Sequence, residues 1–212
     1  MNSATQLRLL AGPAGAIEVA FDAPREACKG VAIIAHPHPL FGGTRDNKVV
    51  QTLARALLTA GYACWRPNFR GVGGSQGTHD EGIGETEDML SVIEAARQDP
   101  LTPPEAPLLL AGFSFGGFVQ SRVAQQLTDQ GASVQALVLI APAVSRFTVP
   151  HPPAPALVVH GELDDVVPLQ SLMDWARPQE LPVMVIPGAD HFFHRRLTLL
   201  KNIVAQWVRG VD

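Results

Sequence analysis

Residues 107–117 read PLLLAGFSFGG, and they place a serine directly after a short apolar run. The run has the length and hydrophobicity of a buried strand, and residues 115–127 have helical periodicity. Ser114 therefore lies at the turn from a strand into a helix, with Gly112 and Gly116 two residues away on either side. A serine that only caps a helix can also occur in this G-x-S-x-G pattern. The strand–turn–helix context instead favours a nucleophile on a sharp, strained turn, where glycines leave room for the neighbouring backbone.

The rest of the chain alternates short apolar runs with helical periodicity, which predicts a mostly parallel sheet flanked by helices. The predicted strands are residues 7–10, 17–21, 31–35, 62–66, 107–113, 134–140, 156–160 and 183–186. The predicted helices are residues 47–59, 85–98, 115–127, 170–176 and 195–208. The proline-rich residues 150–155 are a short connection within this series rather than a linker. We therefore expect residues 1–212 to form a single domain.

The loop over residues 160–168, HGELDDVVP, follows a predicted strand and offers two acidic candidates. A serine nucleophile needs a histidine base and an acid that orients the histidine. After a G-x-S-x-G turn, the acid precedes the histidine along the chain. Asp164 and Asp165 both satisfy that order, and consecutive side chains do not face the same way. The pattern of residues alone leaves the choice between them open.

The loop after the last predicted strand, PGADHFFH over residues 187–194, contains the candidate base. His191 lies on the loop after the strand, where the base belongs. His194 competes with it, but we expect His194 to begin the last helix and to point elsewhere. We expect a structural role for Asp190, because adjacent side chains rarely orient one another. His191 is therefore the predicted base.

The loop after residues 31–35 reads HPHPLFGG, and it is the expected source of one backbone N–H for an oxyanion hole. The other N–H is expected from Phe115, the residue after the nucleophile. Pro37 and Pro39 have no N–H and are excluded. The second donor is therefore His38 or Leu40, and the sequence does not choose between them.

Two motifs that could suggest a cofactor are weak. His36 and His38 form an H-x-H pair, but no third ligand lies at a suitable spacing, so we expect no metal site. The glycine-rich residues 71–77 would need glycine at position 76 to match a dinucleotide-binding loop, and Gln76 stands there. We therefore expect no cofactor.

Composition narrows the possible partners. The chain has 212 residues, 46% of them hydrophobic and 17% charged, with a net charge of −4, so nucleic acid and anionic membranes are not expected partners. No apolar run approaches the roughly 20 residues that span a bilayer. The N-terminus lacks the pattern of a secretion signal, which predicts a cytoplasmic location with Cys28 and Cys64 as free thiols. The sequence favours no particular oligomeric state.

The segments HPHPLFGG, FRGVGGSQG, GFSFGG, HGELDDVVP and GADHFF together resemble small bacterial α/β-hydrolases related to dienelactone-hydrolase-like and prolyl-oligopeptidase-like esterases. The resemblance extends over about residues 17–208 and implies an α/β-hydrolase fold. It implies Asp164 as the acid, because in an HG-x-x-D-x-x-VP loop the first aspartate has this role, and His191 as the base. Dienelactone hydrolases themselves use cysteine where this chain has Ser114, so their specific substrate does not carry over.

The resemblance also implies an open site. Only a short proline-rich loop lies between residues 141 and 156, where larger members insert a cap domain. The expected function is hydrolysis of small carboxylic esters through an acyl-enzyme. The alternatives are a thioesterase or small-peptide hydrolase with the same triad, and a non-catalytic binding protein. We expect the acyl pocket to be formed by apolar residues near the motifs: Leu40, Phe41, Phe115, Phe192 and Phe193. Arg70 could meet an acidic substrate, although a structural role is favoured.

Overall fold

A computed structural model describes residues 5–211, in which helices cover both faces of an eight-stranded sheet. The strands are β1 (Gln6–Gly12), β2 (Gly15–Asp22), β3 (Gly30–Ala35), β4 (Tyr62–Pro67), β5 (Leu108–Phe113), β6 (Ala136–Ile140), β7 (Ala156–Gly161) and β8 (Val183–Ile186). The helices are α1 (Lys48–Thr59), α2 (Ile83–Arg97), α3 (Phe115–Asp129), α4 (Leu169–Ala176) and α5 (Leu197–Val208). Each predicted strand and helix is present, with ends that differ by a few residues.

The order of strands across the sheet is β1-β2-β4-β3-β5-β6-β7-β8. Neighbouring strands from β4 to β8 pair in parallel, while β1 with β2 and β2 with β4 pair antiparallel. The prediction of a mostly parallel sheet is therefore confirmed, and β1 and β2 form an antiparallel hairpin at its edge. The carboxyl ends of the parallel strands lie along one edge of the sheet, which is where binding sites form in such folds.

The sheet has a separate apolar core on each face, because side chains alternate along a strand. In β3, Val31 and Ile33 belong to the core that includes the buried faces of α2 and α3. Ala32 and Ile34 belong to the opposite core, which includes buried residues of α1 and α5. Since β3 is buried on both sides, its unbroken apolar run is what a central parallel strand requires.

The connection from β6 to β7 contains neither a helix nor a strand. This agrees with the expected absence of a cap between these two strands. Among residues 5–211, no helix is both long enough and apolar enough to cross a membrane. The cytoplasmic location stays a prediction.

Arg70 has the structural role that the sequence favoured over contact with an acidic substrate. Its Nε and Nη2 donate to the two carboxylate oxygens of Asp88 at 2.8 and 2.9 Å. Asp88 lies on α2 and is buried, so this two-point ion pair fastens the loop after β4 to that helix. Hydrogen bonding to Asp88 raises the pKa of Arg70. Its guanidinium is therefore already occupied within the protein.

Replacement of Gly116 by alanine is expected to lower the free energy of unfolding by more than about 2 kcal/mol. An added Cβ would lie 2.4 Å from the backbone oxygen of Ala35, a distance that α3 and β3 can relieve only by moving apart. Urea denaturation measures the change. Gly210→Ala is the matched control, because its Cβ would meet its nearest neighbour at an ordinary 3.5 Å. Equal stability of the two variants would contradict this account of the packing.

Candidate active site

Ser114 occupies the strained turn that its motif predicted. Its backbone angles are φ 55° and ψ −116°, a conformation that residues other than glycine rarely adopt. The turn is held by the Ser114 N–H, which donates to the carbonyl of Ile140 at 2.9 Å, and by the Ser114 carbonyl, which accepts from Gly117 N–H at 2.9 Å. A Cβ at Gly112 would lie 2.2 Å from the Gly116 oxygen, so the strand and the helix meet here with no space for side chains.

Asp164 and His191 are brought together from the loops after β7 and β8. Oδ2 of Asp164 lies 2.7 Å from Nδ1 of His191, and both side chains are almost fully buried. The other carboxylate oxygen, Oδ1, accepts from the backbone N–H groups of Val166 and Val167 at 2.9 and 2.7 Å. The neighbouring Asp165 is exposed. Of the two acids that the residue pattern left open, Asp164 is therefore the one that contacts His191, and it is also the one that the resemblance implied.

The imidazole of His191 is oriented by this contact. A carboxylate can only accept hydrogen bonds, so Nδ1 of His191 carries the proton and donates to Asp164. Nε2 is then the nitrogen that can accept a proton. The ring packs against Phe113 and Phe192, with centroid distances of 4.9 and 5.1 Å. Together these contacts hold the tautomer and the plane of the ring.

The competing histidine, His194, lies in a turn before α5 rather than at the start of the helix, so that detail of the prediction was wrong. Its Nδ1 is 2.6 Å from Oδ2 of Asp190, and its N–H donates to Oδ1 of the same residue. Its side chain is largely exposed. Asp190 thus ties down this turn and does not orient His191.

His160 is a buried residue of this region to which the sequence analysis assigned no role. Its Nε2 lies 2.9 Å from the carbonyl of Val167 and 3.6 Å from Oδ2 of Asp164. Burial lowers its pKa, although the nearby carboxylate acts in the opposite direction. A neutral His160 donates a hydrogen bond to the carbonyl of Val167. This bond stabilises the loop whose N–H groups donate to Asp164.

Ser114 and His191 both line a cavity of about 270 Å³ at the carboxyl edge of the sheet. The complete lining is Pro37, His38, Phe41, Gly42, Gly43, Asn47, Ser114, Arg146, Val166, His191 and Phe192. A larger cavity, of about 620 Å³, lies at the opposite ends of β5 and β6, and its lining contains no histidine, cysteine or aspartate. The smaller cavity is therefore the candidate site.

The lining corrects part of the expected acyl pocket. Phe41 and Phe192 line the cavity, as expected, but Phe115 and Phe193 are buried in the two cores and Leu40 is exposed to solvent. Sequence reasoning also missed Asn47, Arg146 and Val166. Their signal was positional, since each follows a strand of the parallel series on a loop at the carboxyl edge.

The N–H groups considered for an oxyanion hole differ in whether they already donate a hydrogen bond within the protein. Leu40 N–H donates to Nδ1 of His38 at 3.3 Å. Within residues 5–211, no hydrogen bond uses the N–H of His38 or that of Phe115. Both of these donors are therefore available to a ligand, whereas the Leu40 N–H already has an acceptor.

His36 uses both of its ring nitrogens within the protein. Nε2 accepts from Phe69 N–H at 2.9 Å, so Nδ1 carries the proton and donates to the carbonyl of Pro37 at 2.6 Å. Burial lowers the pKa of His36 to about 3. Neither nitrogen is left for a metal ion, which removes the H-x-H pair as a metal-binding motif.

These features define the class of protein: an α/β-hydrolase fold without a lid, with serine at the turn after β5. The chain belongs to the serine aminopeptidase S33 family, whose model matches residues 29–153. Membership places it among the α/β serine hydrolases.

Solved structures agree over nearly the whole chain. A serine hydrolase without a lid from Xanthomonas campestris is 37% identical, with a TM-score of 0.87 over 99% of this chain and 96% of that one. An α/β serine hydrolase homologue from Coxiella burnetii is 38% identical, with a TM-score of 0.85 over 95% and 96% of the two chains. An uncharacterized protein of Rickettsia prowazekii is 33% identical over 196 residues, which are 86% of this chain and 79% of that protein.

The buried histidines make stability depend on pH. Unfolded His36 binds a proton at its ordinary pKa of about 6.5, whereas folded His36 stays neutral down to about pH 3. The unfolded state therefore binds more protons as the pH falls below 6.5, and stability decreases. Lowering the pH from 6.5 to 5 should reduce the free energy of unfolding of both proteins. We expect the reduction to be about 1.5 kcal/mol smaller in His36→Asn than in the unchanged protein.

Urea denaturation at several pH values in that interval measures this difference. The lowered pKa of His160 adds a loss of the same sign to both proteins, so only the difference in slope reports on His36. His151→Asn, which removes an exposed histidine, is the control and should keep the slope of the unchanged protein. Identical slopes for all three proteins would show that His36 is not held neutral by burial.

Proposed function

We propose that this serine hydrolase cleaves small carboxylic esters through an acyl-enzyme intermediate on Ser114. The observation that carries the proposal is the 2.7 Å contact between His191 Nδ1 and Asp164 Oδ2, beside a serine on a strained turn in the same cavity. Ser114 and His191 line one cavity and His191 contacts Asp164, and the three residues follow one another along the chain in the order expected for a Ser-Asp-His triad on this fold.

The roles follow from the protonation that the contacts impose. Nε2 of His191 accepts the proton of Ser114 as Oγ forms a bond to the ester carbonyl carbon. The proton then passes to the alcohol oxygen as the bond between that oxygen and the carbonyl carbon breaks, which leaves the acyl group on Ser114. Water attacks the acyl-enzyme by the same route in reverse and releases the acid. Asp164 stays ionised and stabilises the imidazolium that forms in each half of the reaction.

The developing oxyanion is assigned to the backbone N–H groups of Phe115 and His38. Both are uncommitted, and Phe115 begins α3, so the positive end of that helix dipole lies at the same place. Leu40 is the weaker choice, because its N–H already donates to the His38 ring.

The size and lining of the cavity support small ester substrates. Its volume of about 270 Å³ lies just below the usual range for ligand pockets, about 300–1,000 Å³. Phe41, Val166 and Phe192 provide apolar wall for an acyl or alcohol group. The connection from β6 to β7, which lies wholly within the described residues, contains no helix or strand that could cover the opening.

A second candidate, release of an N-terminal amino acid from a peptide, is suggested by the description of the matched family. An enzyme of that kind must recognise a positively charged amine, for which a carboxylate is the usual partner. The lining of the cavity contains no aspartate or glutamate and instead contains Arg146. The charge of the site therefore favours ester over aminopeptidase chemistry, and a thioester remains chemically equivalent to an ester here.

A non-catalytic binding protein is the least favoured function. The conformation of Ser114 costs of order 1–3 kcal/mol, and it persists here beside an oriented histidine. Neither feature is needed to bind a ligand without chemistry.

Reaction with a fluorophosphonate probe is expected at Ser114 alone, because only an activated serine attacks such a probe. Mass spectrometry of the labelled peptide identifies the site. Ser114→Ala and His191→Ala should abolish labelling, whereas His194→Ala should label normally because its ring pairs with Asp190 at the surface. Asp164→Asn should reduce kcat on 4-nitrophenyl acetate about 10³–10⁴-fold. Asp165→Asn, which changes an exposed residue, should leave kcat nearly unchanged.

Absence of labelling in a folded protein would contradict an activated nucleophile. Equal losses in Asp164→Asn and Asp165→Asn would contradict the assignment of the acid. Hydrolysis of amino acid 4-nitroanilides in preference to all esters would instead support the aminopeptidase candidate.

His38→Pro is expected to lower kcat about 10²–10³-fold, the usual effect of removing one oxyanion donor. The backbone φ of His38 is −53°, which proline adopts, so the substitution removes the N–H without demanding a new backbone angle. His38→Ala removes the same ring and keeps the N–H, and it should therefore retain much more activity. If steady-state kinetics on 4-nitrophenyl acetate give equal kcat values for two folded variants, the donor is not His38.

A further inference from the structure

The lining of the active-site cavity has an unbalanced positive charge. Arg146 is the one lysine, arginine, aspartate or glutamate in that lining, and it comes from the loop that connects β6 to β7. The pKa of His38, on the same cavity, is lowered mainly by burial; His79 and Arg146 act in the same direction, while Glu81 and Glu85 act in the opposite one. The protein as a whole has a net charge of −4, so this local sign is the reverse of the overall one.

Arg146 is held at the mouth of the cavity without an ionic partner. Its Cζ lies 5.5 Å from the centroid of the Phe41 ring, which also lines the cavity, and this cation–π contact limits where the guanidinium can go. Within residues 5–211, the guanidinium of Arg146 makes no hydrogen bond or ion pair, and the residue is exposed. In contrast, Arg66 and Arg70 are satisfied by the buried carboxylates of Asp22 and Asp88.

The two carboxylates that act on His38, those of Glu81 and Glu85, both lie against His79. Glu85 accepts from Gly82 N–H and lies 2.7 Å from Nδ1 of His79. Glu81 lies 3.4 Å from Nε2 of the same histidine, and its side chain is mostly exposed. Both carboxylates therefore face His79, and the positive charge of Arg146 is left for a molecule that enters the cavity.

We propose that Arg146 is a specificity-determining residue that binds a carboxylate on the substrate, so that the preferred substrates are carboxylate-bearing esters. The inference rests on the proposed ester hydrolysis at Ser114. A guanidinium presents parallel N–H donors that match a carboxylate, and its single positive charge balances the single negative charge of that group. Asn47 lies on the same cavity, and since its Oδ1 accepts from Val49 N–H, its amide Nδ2 can add a further donor.

The carboxylate can lie on either side of the scissile bond, and matched pairs of esters separate the two cases. For the acyl side, 4-nitrophenyl hydrogen glutarate is compared with 4-nitrophenyl pentanoate. For the alcohol side, 4-acetoxybenzoate is compared with phenyl acetate. We expect the anionic member of one pair to have the higher kcat/KM after correction for the spontaneous reactivity of each ester, and we expect this preference to decrease with added salt.

Arg146→Gln should lower kcat/KM for the preferred anionic ester about tenfold, while the neutral partner changes less than about twofold. Arg146→Lys keeps the charge and should keep most of the preference. Arg209→Gln is the matched control, because it removes one exposed arginine outside the cavity and should leave both rates unchanged. Unchanged ratios in Arg146→Gln, or a preference of the unchanged protein for the neutral ester in both pairs, would overturn the proposal.

Failure of this proposal is distinguishable from failure of the proposed function. If neutral esters are hydrolysed and fluorophosphonate labels Ser114, but Arg146→Gln leaves the ratios unchanged, only the carboxylate site is wrong. If no ester is hydrolysed, binding of both ester pairs is measured by NMR titration of Ser114→Ala. Tighter binding of the anion in either pair, lost in the Ser114→Ala/Arg146→Gln double variant, would retain the carboxylate site, and equal binding in both pairs would reject it.

Discussion

The close approach of α3 to the ends of β3 and β5 is the constraint on which the site depends. Gly112 and Gly116 allow it, because a Cβ on either one would lie within 2.4 Å of a backbone oxygen. The chain can then turn from strand to helix within one residue, and that residue, Ser114, is forced to φ 55°. The strained turn thus places the Ser114 hydroxyl at the carboxyl edge of the sheet, where the positive end of a helix dipole also lies.

The parallel strands bring distant parts of the chain to that same edge. Loops after β3, β5, β6, β7 and β8 supply His38, Ser114, Arg146, Asp164 and His191 in turn. Pairing of the strands sets the spacing of these loops, and contacts between neighbouring loops, such as that of Asp164 with His191, complete the arrangement. The sheet therefore positions these side chains, and short loops decide which residues they are.

Two buried neutral histidines make these loops rigid. His36 joins the loop after β3 to that after β4 through Phe69 N–H, and His160 holds the carbonyl of Val167 at the end of the loop that contains Asp164. Burial lowers the pKa of both, so each keeps one donor and one acceptor nitrogen. His191 differs in having a carboxylate as its partner, at 2.7 Å. The same side chain thus serves as a structural link at two positions and faces the nucleophile's cavity at a third.

Three features could be predicted from the sequence alone: the alternation of strands and helices, the glycine-flanked turn at Ser114, and the loops on which the acid and base candidates lie. These features are local, since they depend on periodicity and on the space that glycine leaves. Only the tertiary structure brought Asp164 against His191, buried Phe193 rather than placing it in the cavity, paired Arg70 with Asp88 and left the Arg146 side chain unpaired. Each of these outcomes depends on a contact between residues from different elements, and neither side-chain direction nor ionic partner is encoded by spacing along the chain.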